Sequence, residues 1–130
     1  MTLRRTLAAL ARDQHATTAA EFALVVPLFL GLVFLTINGS IMLSAAVQTH
    51  YAAERAARCL SVNVSGDCSL GNIDAYAKTY YNGPTLTGMT FTGTSLADYN
   101  QVDGTGTYEL ITGLGNTSVT ISSTARYPKI

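Results

Sequence analysis

The chain has 130 residues, enough for one domain with a modest core. Charged residues make up 12% of it, about half the usual share, hydrophobic residues make up 48%, and eight basic side chains cancel eight acidic ones. A zero balance argues against a nucleic-acid binder, and an apolar neutral chain argues against intrinsic disorder. Two cysteines and two histidines are too few for a self-contained structural zinc site.

The hydrophobicity is not evenly spread. Residues 1–16 carry Arg4, Arg5 and Arg12 against one acid, Asp13. From Phe22 to Ala53 there is no Asp, Glu, Lys or Arg. As a helix, the stretch from Phe22 to Leu43 covers about 33 Å, close to the roughly 30 Å hydrocarbon core of a bilayer. The alternative is a buried helix of a soluble protein, but the remaining chain is too small to wrap such a helix on all sides. Three arginines precede the span and two, Arg55 and Arg58, follow it, which favours a cytoplasmic N-terminus. Glu21 stands directly before the uncharged stretch, where a carboxylate either is solvated at headgroup level or needs a partner. Pro27 removes a backbone donor and crowds the carbonyl of Ala23, so a kink or loosened turn is expected there, with Gly31 and Gly39 as weaker points.

Beyond the span, the alanine-rich run from Ala45 to Val62 continues the helix. Its periodicity places Val47, Tyr51 and Ala57 or Leu60 on one side, with Glu54, Arg55 and Arg58 on a wetter one. Cys59 and Cys68 flank eight residues that include the turn formers Ser65, Gly66 and Asp67. Outside the cytoplasm such a pair reads as a disulfide closing a short loop, with half a metal site or two free thiols as alternatives. Asn72 can cap a short helix from Ile73 to about Tyr81, stopped by Asn82-Gly83-Pro84, with Tyr76 and Tyr80 on one face.

From Thr85 the composition turns to Thr, Gly and Ser, yet the pattern is not that of a linker. Val119, Ile121, Ser123, Ala125 and Tyr127 alternate with polar residues, as a half-buried strand requires. Tyr108 and Leu110 suggest the preceding strand, Gly113-Leu114-Gly115-Asn116 the hairpin turn, and Leu86 to Thr92 a third strand. The expected class is α+β: a long transmembrane and amphipathic helix, a short helix, and a small antiparallel sheet resting on the helix. Gly104-Thr105-Gly106 and Gly113-Leu114-Gly115 lack the Gly-Lys-Ser/Thr of a phosphate loop and read as turns. His15 and His50 fall on opposite sides of the span, in no triad or metal spacing. Neither an enzyme nor a cofactor site is expected.

The run T-A-A-E-F-A-L-V-V-P-L resembles the start of the TadE-like family, minor pseudopilins of the Tad (Flp) branch of type IV pilus machinery. The similarity covers roughly Ala16 to Leu60, including the alanine-rich helix that ends in A-A-R-C. It implies a pilin-like fold and cleavage by a prepilin peptidase between Ala16 and Thr17, although Ala16 stands where such sites usually carry Gly. Glu21 and Phe22 would then be the processing and assembly pair. The new amino group of Thr17 would lie one helical turn from the Glu21 carboxylate, which could neutralise it or that of a neighbouring subunit. The same resemblance implies an inner-membrane protein with a cytoplasmic leader over 1–16, a long helix over 17–62 and a periplasmic head over 63–130. Its partners would be other pilin and pseudopilin subunits and the Tad assembly platform, with Ala45, Ala46, Ala52, Ala53, Ala56 and Ala57 allowing close helix approach. The alternatives are an uncleaved single-pass protein with a periplasmic binding domain, and a domain secreted by cleavage after Ser44-Ala45-Ala46.

Overall fold

In the computed structural model the described residues are 14–62, 66–111 and 117–129, with backbone alone for residues 14–17. Helix α1 runs over Gln14–Val62, 49 residues, and continues through Pro27. Helix α2 spans Ile73–Tyr80, and strands β1 (Thr87–Ser95), β2 (Tyr99–Glu109) and β3 (Ser118–Pro128) follow. The strands form one antiparallel sheet in the order β1-β2-β3, so the class is α+β. Two compact units divide the chain, Met1–Ile37 and Asn38–Ile130.

The first unit is helix alone among its described residues. Phe22, Leu24, Val25, Leu28 and Leu30 are all exposed, and at about 100° per residue they are spread around the helix axis. A helix that is apolar on all sides, with nothing of its own chain covering it, has the composition and length to cross a membrane.

The second unit is built on a seam of small residues. Asn38, Ala45, Thr49, Ala52 and Ala56 of α1 are buried at spacings of three, four and seven, and Met42, between Asn38 and Ala45, is half-buried. Alternate residues of β2 face them: Asn100, Val102, Gly104, Gly106 and Tyr108 are all buried, opposite Tyr127, Ala125, Ser123, Ile121 and Val119 of β3. Gly104 and Gly106 therefore lie mid-strand and not in a turn. A Cβ on Gly104 would come within 2.6 Å of the Phe91 ring and 2.9 Å of Thr49, and one on Gly106 within 2.9 Å of Leu86. Their lack of a side chain is what lets Phe91 and Leu86 slide between sheet and helix. Ala52, Ala53, Ala56, Ala57, Ile73, Ala77, Phe91, Val102 and Ala125 make one core cluster, and Ala45, Leu86, Tyr108 and Ile121 another.

Several expectations shift in consequence. Val47 and Tyr51 do not mark the packed side of α1; they are exposed, and the alanines are the packed side. Short side chains win that face because the strand opposite is itself bare at two positions. Those alanines are covered by the chain's own sheet, leaving Ala45, Ala52, Ala53, Ala56 and Ala57 no surface for another helix. Within the expected 22–43 span, Ile41 and Met42 pack against the cluster of Leu86, Tyr108 and Ile121. The compact unit that contains the head expected over 63–130 begins at Asn38, and α1 supplies five of the thirteen buried residues of its two core clusters.

The strand termini extend further than the hydrophobic pattern indicates. β1 ends at Ser95 instead of Thr92, and β2 begins at Tyr99. A register shift follows Thr87 where Gly88 takes φ +64, a left-handed conformation that glycine adopts without strain. The expected turn at 113–116 lies outside the described residues, while the Leu110 amide donates to the Thr117 carbonyl at 2.8 Å and prolongs the hairpin ladder. Asn72 precedes α2 as expected but does not cap it with its side chain. Its Oδ1 accepts from the Ser69 amide (2.7 Å) and hydroxyl (3.1 Å), and its Nδ2 donates to the Asp67 carbonyl (2.7 Å), closing the loop before the helix.

Candidate functional site

Two sets of residues bear on function, one in each unit. In the first, Ala16 and Thr17 are helical in backbone, and the expected cleavage point falls inside the first turns of α1. Glu21 is exposed one turn further on and makes no hydrogen bond or ion pair among the described residues. Phe22 beside it is 71% exposed. Pro27 lies within the helix and is exposed, so the Ala23 carbonyl lacks its usual donor there.

In the second unit, α1 is fastened at both ends of its packed segment. At one end Asn38, 4% exposed, grips the backbone of Ile111: its Nδ2 donates to the Ile111 carbonyl (3.1 Å) and its Oδ1 accepts the Ile111 amide (2.9 Å). Tyr108 adds its hydroxyl to the same oxygen at 3.4 Å. This pair of bonds copies the exchange between two opposed strand residues, so one side chain acts as a short piece of strand. At the other end Cys59 and Cys68 are paired as a disulfide, with Cα atoms 5.9 Å apart. Beside them Asn100 Nδ2 donates to Ser61 Oγ (3.0 Å), which donates to the Tyr127 carbonyl (3.1 Å). The reading of Cys59 and Cys68 as one closed loop therefore fits the geometry, and Asn38 was missed because an Asn in an apolar run looks like a mere interruption.

Helix α2 guards the outer edge of the sheet. Asp74 Oδ1 accepts the Phe91 amide of β1 (2.8 Å), while Oδ2 accepts from Lys78 Nζ (2.7 Å). Burial pushes the Asp74 carboxyl upward, but the Lys78 ammonium and the Phe91 amide outweigh it and hold the group below its ordinary value. Tyr76 and Tyr80 stack with ring centroids 5.1 Å apart. Their hydroxyl contact raises the Tyr76 phenol, and burial adds to this. Burial likewise raises Tyr81, whose hydroxyl donates to the Pro84 carbonyl at 2.6 Å.

One grouping joins residues far apart in sequence. His50 Nδ1 lies 3.0 Å from Ser123 Oγ, and its Nε2 lies 3.2 Å from Glu54 Oε1. Acyl chemistry needs more than this line of three: a substrate cleft at the hydroxyl and donors for a developing oxyanion. Ser123 sits mid-strand opposite Gly104, and both His50 and Glu54 are more than half exposed. A shallow cleft of about 250 Å3 next to them is lined by Tyr51, Glu54, Arg55, Arg58, Arg126 and Tyr127, and neither Ser123 nor His50 lines it. Two of its arginines are spoken for, Arg55 by the ring and hydroxyl of Tyr51 and Arg126 by Gln101 and the Tyr99 ring. Among the described residues no His, Cys, Asp and Glu cluster has the makings of a metal site.

The outward face of the sheet is lined with hydroxyls. Thr90 and Thr105 bond across β1 and β2 at 3.1 Å, and Thr124 donates to Asp103 at 2.6 Å. Gln101 donates to both oxygens of Asp103, tying that face together without apolar contacts.

Comparison with known proteins gives one result. No curated protein and no solved structure matches the chain. Residues 16–58 match the family model of TadE-like protein, the family that the run around Glu21 resembles.

Proposed function

We propose that this protein is a minor pseudopilin of a Tad (Flp) pilus, cut by a prepilin peptidase between Ala16 and Thr17 and acting in pilus assembly or as a pilus-associated subunit in attachment. The observation that carries the reading is the TadE-like match over 16–58, which contains Glu21, Phe22 and the uncharged helix after them. In this reading α1 anchors the subunit in the bacterial inner membrane with its N-terminus in the cytoplasm and the head in the periplasm. Glu21 then neutralises an amino terminus, its own or a neighbour's, at the membrane edge. The protein does no chemistry of its own; it is a substrate of the peptidase and a partner of other pilins and the Tad assembly platform.

The alternative of a secreted domain released after Ala46 is disfavoured by packing. Such a cut would separate Asn38 and the fully buried Ala45 from the sheet they pack on. An uncleaved anchor with a binding head remains the competing reading. The mass of the protein purified from its native membrane decides between them. A mature chain beginning at Thr17 supports the pseudopilin, and a chain beginning at Met1 or Thr2 refutes it.

A further inference from the structure

We propose that the Leu110–Ile111 end of the sheet rests in the interfacial layer of the bilayer, with Ile111 in contact with lipid; the inference builds on the reading of α1 as a membrane anchor. Its starting point is a deficit of length. The helix is apolar on all sides and uncovered only as far as Ile37, because Asn38 is buried, Ile41 and Met42 are half-buried, and Ala45 is wholly inside the head. From Phe22 to Ile37 the rise is about 24 Å, some 6 Å less than a hydrocarbon core of about 30 Å.

The shortfall can be made up at either end. Drawing the N-terminal turn inward would submerge the Glu21 carboxylate, which costs several kcal/mol on the usual scales. At the other end the bilayer meets the first turn of the second unit, and the residues there suit it. Asn38 holds Ile111 by both backbone groups, so this end of the sheet is fixed at the turn where the uncharged helix joins the head. Ile111 is 59% exposed and Leu43, five residues past Asn38, is 68% exposed. Glu109, exposed at the end of β2, stands at this end; from Leu110 to Ala125 the sequence contains no Asp, Glu, Lys or Arg, and neither does α1 between Phe22 and Ala53. The far end of the same strands carries Asp98, Arg126 and Lys129. Uncovered aliphatics just beyond Glu109, further charges at the opposite end and a tether to the span suit a contact confined to the interfacial layer, where a carboxylate keeps its water.

The chain has no tryptophan, so a single introduced Trp reports its own surroundings. Ile111→Trp, Leu43→Trp, Leu28→Trp and Thr92→Trp are each placed in the full chain and reconstituted into phosphatidylcholine–phosphatidylglycerol vesicles. Quenching is read with lipids brominated near the headgroup and with aqueous iodide. Ile111→Trp is expected to be quenched by the shallow bromolipid and to show an iodide quenching constant about threefold below that of Thr92→Trp on the polar outer face. Leu43→Trp is expected to behave as Ile111→Trp does, which covers the case in which the Ile111 variant misfolds. If Leu28→Trp is lipid-quenched while Ile111→Trp and Leu43→Trp both match Thr92→Trp, this inference is overturned and the anchor stands. If Leu28→Trp is itself open to iodide, the anchor reading fails and takes the inference with it.

Discussion

Replacing Gly104 by Ala tests whether the helix and sheet are held together by the absence of side chains. The new methyl would stand 2.6 and 2.8 Å from two atoms of the Phe91 ring and 2.9 Å from Thr49 Cγ2, where ordinary contact begins at 3.4 Å. A shift of about 0.8 Å is therefore required of a ring that is 3% exposed and a threonine that is fully buried. Overpacking of this kind costs about 1–3 kcal/mol. Opposing it, Ala restricts the unfolded chain more than Gly does, worth about 0.4–1 kcal/mol where the backbone is unstrained. The overpacking term wins, with a net loss of about 1–2 kcal/mol. For a domain of this size that lowers the melting temperature by about 4–16 °C. Near-ultraviolet circular dichroism of the full chain in detergent follows the transition, and Thr105→Ala on the exposed outer face serves as the control. Adding Phe91→Leu should recover part of the loss, because the two changes meet at the same ring. A Gly104→Ala variant that melts at or above the temperature of the parent would refute the close-approach account.

Three further expectations follow from the same geometry. The Asp74 carboxyl is held below its ordinary 3.8, so its contribution is complete above that pH and is lost as pH falls through the lower folded value. Asp74→Asn keeps an acceptor for the Phe91 amide, and its melting temperature should fall less than the parent's between pH 5 and 2; an identical slope would remove Asp74 from the acid response. Reducing Cys59–Cys68, or replacing both by Ser, opens a short loop and should cost about 2–3 kcal/mol in denaturant titrations on the chain-entropy estimate. Glu21→Ala should abolish or sharply reduce piliation counted by electron microscopy while membrane fractionation is unchanged, and normal piliation would exclude Glu21 from assembly.

Much of the architecture was legible because large-scale patterns carry it. The uncharged stretch after Phe22 announces a long helix, and the alternation from Val119 to Tyr127 announces β3. The differences share one cause, that side-chain size is the strongest signal of a core position. Val47 and Tyr51 are large enough to read as the inward side, yet both are exposed and the alanines pack on the sheet. Gly104 and Gly106 carry the signature of a turn, since neither the sequence nor its periodicity distinguishes a glycine that bends the chain from one that makes room. The buried positions Asn38, Ala45, Thr49, Ala52 and Ala56 do keep a regular helical spacing. Small residues, however, give a weak signal beside Leu and Phe. The Asn38–Ile111 clamp and the His50–Ser123 contact each join residues 73 apart and could not be read at all.

The two fastenings of α1 also have a mechanical meaning. In the proposed reading of α1 as an anchor, a pull along the helix would load its packed segment from Asn38 onward. Phe91 and Leu86, wedged at Gly104 and Gly106, oppose sliding of α1 along the sheet. The ends add to this: Asn38 holds the Ile111 backbone at one, and the Ser61–Tyr127 bond lies at the other, beside the Cys59–Cys68 bridge. Among the described residues, hydrogen bonds and packing tie α1 to the sheet, while the covalent bridge ties it to the loop before α2.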